Sequence, residues 1–272
     1  MSMLTRWVIS LAALPCILTA QPPLPTAREL RNLLADDDQA WGEQPARDVL
    51  LYHENRLRPS LRALLRDPKA RAGAQEILSL IGDPDDLRVL LHLPPPSHSG
   101  PFENRWAYGV VCALLEPGTE QEWKFLRDCA LNAYDDRWVD AGAIQTLKLM
   151  ASSRSLEILK EVRQHNHDRE KSTARAIEYV QSNPPPLRGR ELEELAGRVA
   201  NVIRIGTWEG NEKARYNKDG DKALVDFAFR TLEDRLIYTG TFHRIDGVWR
   251  LSGVRETLQM LVPPPPPPPA KK

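Results

Sequence analysis

A short segment of this chain returns at a fixed distance. Ala72-Gly73-Ala74-Gln75-Glu76-Ile77-Leu78 matches Ala141-Gly142-Ala143-Ile144-Gln145-Thr146-Leu147, and Arg105-Trp106-Ala107-Tyr108-Gly109-Val110-Val111 aligns with Arg137-Trp138-Val139-Asp140-Ala141-Gly142-Ala143 after a one-residue gap. A weaker echo follows at Ala174-Arg175-Ala176. Taking Gly73, Gly109, Gly142 and Arg175 as equivalent gives spacings of 36, 33 and 33 residues. A period of roughly 20–50 residues is the signature of stacked units, each burying its apolar face only against its neighbours.

Each unit reads as a pair of helices. In the clearest, Asn104 is an N-cap candidate, residues 105–116 form the first helix, Pro117-Gly118-Thr119 breaks it, and residues 120–133 form the second. Trp123, Leu126, Ala130 and Ala133 fall on one face at steps of three and four. The unit before it opens at Asp67-Pro68 and breaks at Gly82-Asp83-Pro84, with a second helix over 85–93; the unit after it pairs 136–150 with 155–164. Helices near 27–34 and 47–66 would cap the stack. Ile81-Gly82-Asp83-Pro84-Asp85-Asp86-Leu87, behind an Ala-rich helix and ahead of a Leu-rich one, resembles the short class of HEAT repeat. That resemblance covers about 27–183 and implies an α-solenoid. An irregular helical bundle is the alternative, since helix pairs of this length also build bundles.

Pro184-Pro185-Pro186 marks a change of character, whereas the prolines of 94–101 read as a loop inside the stack. Residues 190–203 read as a helix with a stripe at Leu192, Leu195, Val199 and Val202. Strands are expected at 214–217, 223–230, 235–244 and 248–256, with Ala223, Val225, Phe227 and Phe229 alternating and hairpin turns at Asp219-Gly220 and Asp246-Gly247. The run from Tyr238 through Trp249-Arg250-Leu251 to Arg255-Glu256-Thr257 resembles the last hairpin of cystatin-like or NTF2-like α+β rolls. The expected class is therefore an α-solenoid of HEAT-like helix pairs followed by a small α+β domain, one helix on a four-stranded antiparallel sheet. Its parts are a signal peptide at 1–20, the repeat domain at 21–183, a proline-rich linker at 184–189, the α+β domain at 190–262 and a polyproline tail at 263–272.

The first 20 residues carry one cation, Arg6, then an apolar run from Trp7 to Leu18 and Thr19-Ala20. Basic, apolar, then small is the order of a cleavable export signal, and the run is shorter than the ~20 residues a membrane helix needs. A lipoprotein or an N-terminal anchor is the lesser alternative; Pro15 stands where a lipoprotein signal ahead of Cys16 would have a small flexible residue. Past Ala20 the balance is 36 Lys+Arg (37 less Arg6) against 37 Asp+Glu, a net of −1, which speaks against a nucleic-acid partner. Export makes Cys112 and Cys129 a candidate disulfide. On a hairpin turning near Gly118, however, Cys129 overshoots the level of Cys112 by about 6 Å at ~1.5 Å per residue, so two buried thiols are the competing reading.

Chemistry is sparse. His165, His167 and Asp168 are the metal candidates, against a solvated turn, because no further Cys or His pair completes a set of ligands. Asp36-Asp37-Asp38 lacks the spacing of a calcium loop. Asp226, Tyr238, His243 and Arg255 are the weak catalytic candidates, the polar set that the roll resemblance implies. Trp106 and Trp138 hold equivalent repeat positions and are either an aromatic interaction surface or helix-packing residues. No cofactor is expected. The leading expectation is an exported protein–protein interaction scaffold with an unidentified protein partner, in the periplasm or secreted; the alternatives are a small-ligand-binding or enzymatic C-terminal domain and a structural envelope spacer. N-terminal sequencing of the protein from the extracytoplasmic fraction is expected to begin at Gln21; a start at Met1 would overturn cleavage.

Overall fold

A computed structural model describes residues 24–35, 53–81, 83–93, 105–203, 205–211, 214–231 and 234–261. The proposed signal, Asp36-Asp37-Asp38, Asn104, the prolines of 94–101 and those of 263–269 lie outside these residues. The helices are α1 (Ala27–Ala35), α2 (Glu54–Leu64), α3 (Arg71–Ile81), α4 (Pro84–His92), α5 (Arg105–Ala113), α6 (Glu120–Ala130), α7 (Arg137–Met150), α8 (Ser153–His165), α9 (Glu170–Gln181) and α10 (Leu192–Ile203). The strands are β1 (Arg188–Gly189), β2 (Thr207–Asn211), β3 (Arg215–Tyr216), β4 (Lys222–Arg230), β5 (Asp234–Ile245) and β6 (Val248–Leu261).

Local chemistry sets the helix starts. Asp83 accepts the Asp85 N–H and precedes Pro84 at the first helical position of α4. Thr119 and Glu122 form a reciprocal capping box at α6, and Asp136 accepts from the N–H groups of Trp138 and Val139 at α7. Ala151 closes α7 in the left-handed region at φ 48°.

The helices pack in two rows. The first helices, α3, α5, α7 and α9, each touch the next, and so do the second helices, α4, α6 and α8. Hydrogen bonds between successive units keep the sequence period. Thr146 Oγ1 donates to the Val111 carbonyl (2.9 Å, 35 residues apart), Asn166 Nδ2 to the Ala130 carbonyl (3.2 Å, 36 apart), and Arg127 and Arg154 pair with Glu161 and Glu120 at a separation of 34. The exposed ion pairs add little stability, since solvent screens them. The apolar core from Leu30 to Val180 holds the rows together, and the bonds mark their register.

Behind Pro184-Pro185-Pro186 comes an antiparallel sheet of order β1-β6-β5-β4-β2, with β3 also pairing β4. The expected sheet had four strands; six are present among the described residues. Strand β2 escapes pattern reading because Thr207-Trp208-Glu209-Gly210-Asn211 has no apolar alternation and carries a bulge between Trp208 and Gly210, and β1 is only two residues long. Helix α10 lays Leu192, Leu195, Ala196, Val199, Ala200 and Ile203 on one face of the sheet, against Phe227, Phe229 and Phe242. The opposite face lies on α2, α3 and α5: Lys222 reaches Glu54, and Arg255 and Gly253 lie against α5. The sheet is therefore covered on both sides.

Small residues permit the close approach in the first row. A Cβ on Gly142 would sit 2.9 Å from Tyr108 Cε2, and Tyr108 cannot swing away freely because its hydroxyl accepts the Glu256 N–H at 2.8 Å. Gly142→Ala, which on helix propensity alone would gain about 1 kcal/mol, is expected instead to lower stability by about 1–3 kcal/mol through overpacking. A urea unfolding midpoint checks it, and a more stable variant would contradict the packing.

Candidate functional site

Cross-strand register decides which sheet residues meet. Asp226 faces Thr239, and Thr239 faces Arg255, so these three form one row on the face against the helices. Thr239 donates to Asp226 at 2.6 Å, and Arg215 pairs with the same carboxylate at 2.9 Å. His243 shares that face opposite Lys222, but stands four residues farther along β5, about 13 Å at ~3.3 Å per residue. Tyr238 lies on the other face, its ring edge-on to Phe229 and its hydroxyl donating to Glu256 at 2.7 Å. The four catalytic candidates are thus not one constellation.

The cavity where this face meets α3 and α5, between Ser79, Gly109, Thr239 and Arg255, is about 10 Å³, space for about one water. The surrounding charges serve to join the two parts. Glu54 on α2 is 2.9 Å from Lys222 and accepts from Asn217 at 3.0 Å, and burial raises its carboxyl above the usual range despite the lysine. Cys112 and Cys129 are both buried with free thiols, and burial pushes the Cys112 thiol up to about 12.

The metal candidates are spread over a helix end and a turn. His165, in the last turn of α8, places Nδ1 2.8 Å from the Glu161 carbonyl of its own helix; His167 and Asp168 are exposed in a 3-10 turn. The residue of that motif facing inward is Asn166, which donates to the Ala130 carbonyl and to Asp140, the latter also held by Arg169 at 2.8 Å. Among the described residues no group of three or more His, Cys, Asp or Glu is arranged to hold a metal ion.

The surface of the second-helix row carries a more open feature. Consecutive helices α6 and α8 border a groove of about 280 Å³ between Glu120, Trp123, Arg127, Arg154, Ile158 and Glu161. Arg154 lies 4.8 Å over the Trp123 ring while its guanidinium pairs with Glu120, and Arg127 pairs with Glu161. Trp138, at the start of α7, is 41% exposed with Arg137 5.2 Å over its ring. The side chain of Trp106 lies outside the described residues. The sequence pattern puts Trp123 in a core stripe, and the ring is indeed half-buried against the apolar core; its pairing with Arg154, 31 positions on, has no local sequence signal. No protein-family model, curated protein or solved structure matches this chain. No described helix is long and apolar enough to cross a membrane.

His243 makes the joint pH-sensitive. Burial first, then the neighbouring Lys222, lowers its pKa from 6.5 to about 4, so the folded state holds the imidazole neutral. A depressed histidine pKa means that the unfolded chain binds the proton more readily, and stability is lost as pH falls from about 6.5 toward 4. At pH 5 the loss is expected to be about 2 kcal/mol. His243→Gln should flatten that part of the urea midpoint-versus-pH curve; an unchanged slope would assign it to other groups.

Proposed function

We propose that the helical rows are a HEAT-like solenoid and that the chain is an exported scaffold for protein–protein interaction, with the α+β part as an accessory surface. The observation that carries this reading is the groove between α6 and α8, where the stacking of successive units lines up an aromatic ring with charged pairs of both signs. Trp and Arg are the side chains that most often anchor protein interfaces. Equivalent helices contact one another at a near-constant sequence separation, as a stacked array requires. The roll-type polar set does not support catalysis as well, because its members lie on two faces of the sheet and the adjoining cavity holds about one water.

The test is crosslinking of the full chain in the extracytoplasmic fraction, followed by binding measurements on the partner recovered. Trp123→Ala is expected to weaken binding by about thirtyfold, the scale of a ~2 kcal/mol interface anchor, with the circular dichroism spectrum unchanged. Recovery of no partner, or equal binding by Trp123→Ala and by Trp138→Ala, would overturn the proposal.

A further inference from the structure

Strand β1 joins the sheet in a register that sets Arg188 directly opposite Arg250. Such positions place Cβ atoms about 4.5–5.5 Å apart, and like charges there repel. The row continues through His243 on β5 to Lys222 on β4. Lys222 has its counter-charge in Glu54 at 2.9 Å, and His243 is neutral near pH 7. The two arginines are left with their charge uncompensated: among the described residues neither enters an ion pair, and Arg250 Nε is buried without a hydrogen-bond acceptor.

Both arginines line a cavity of about 420 Å³ where the helical part meets the sheet. Most of the residues around it are apolar, with Leu115 and Met150 on the helical side and Pro185 and Leu251 on the other, and the surface they leave open is about equally polar and apolar. The wall is held in place. Arg198 donates to the Pro186 carbonyl at 2.6 Å and to the Arg188 carbonyl at 3.2 Å, and the Leu251 N–H donates to the Leu187 carbonyl at 3.3 Å. Glu116, exposed to solvent, also lines it and forms no ion pair with either arginine. The volume lies in the range of small-molecule sites, about 300–1,000 Å³.

We propose that this groove binds an organic carboxylate with an apolar body, its charged end held by Arg188 and Arg250. A planar guanidinium fork matches a carboxylate through two parallel N–H···O bonds. Such bonds from the guanidinium heads separate the opposed charges. A bare inorganic anion would leave Leu115, Met150 and Leu251 wet, and a neutral apolar molecule would leave the arginines unanswered. The site is independent of the α6–α8 surface, so either can fail without the other.

The test is isothermal titration of the full chain with decanoate, using decanol and acetate as controls and an acidic decapeptide as the macromolecular competitor. Saturable binding of decanoate is expected, with acetate and decanol each at least about tenfold weaker, the scale of a lost charge-assisted hydrogen bond or of the lost apolar body. Arg188→Gln and Arg250→Gln should each weaken decanoate by about tenfold or more. Met150→Trp, which fills the groove and spares the arginines, should do the same, so the proposal stays open to test if an arginine variant fails to fold. No saturable decanoate binding, equal binding of decanol, unchanged affinity in folded variants, or binding of the peptide alone would overturn it.

Discussion

Helix α5 is the element on which both parts of the structure depend. It packs on α3 and α7 in its own row, on α4 and α6 of the other, and on β6 of the sheet. A helix with neighbours on so many sides has to be thin. A Cβ on Gly109 would lie 2.2 Å from Ser79 Oγ, and a Cβ on Gly253 of β6 would lie 2.9 Å from the Cys112 carbonyl oxygen. The one bulky residue in the middle of the helix, Tyr108, packs its ring on Gly142 of the next unit and accepts the Glu256 N–H from the sheet. One side chain thus couples the repeat spacing to the docking of the sheet.

That dependence explains which features can be read from the sequence. Gly109 lies against Ser79 of α3 and Gly142 against Tyr108 of α5, so the recurring small residues of the sequence mark close contacts between neighbouring helices. Breaks with strong capping chemistry, at Asp83-Pro84 and Thr119, locate helix starts closely. Helix α5 ends at Ala113, three residues before the expected Glu116; Pro117 disfavours helical backbone at Glu116 itself, and no residue signal marks the earlier end. The site is less legible. Asp226 and Arg255 share a row through Thr239, while Tyr238, its neighbour on β5, faces the other way by strand alternation; that row depends on a cross-strand register that the residue pattern does not fix. The His165-Asn166-His167-Asp168 motif suggested ligands from its residue types, yet its inward-facing member is the asparagine.

Strand β4 shows how a correct pattern can be taken too far. The alternation of Ala223, Val225, Phe227 and Phe229 reads as a strand with one wet face. In the structure Ala223 through Phe229 are all buried, because the face bearing Leu224 and Asp226 lies under the helices. A polar residue in an alternating strand was free to mean solvent or a partnered interior. Asp226 has the second environment, bonded to Thr239 and Arg215.

A polar joint has consequences that an apolar one would not. Charges withdrawn from water regain in their mutual attraction roughly what desolvation costs, so Glu54–Lys222 and Asp226–Arg215 specify an orientation more than they deepen stability. Apolar surfaces alone would permit the sheet to slide on α2, α3 and α5, because the hydrophobic effect has no direction. With those pairs in place, the row from Lys222 through His243 to Arg250 and Arg188 has one position relative to the helices. The joint therefore fixes where the uncompensated arginines stand, and the walls around them, from Leu115 and Met150 to Leu251, belong to elements that the same joint holds in register.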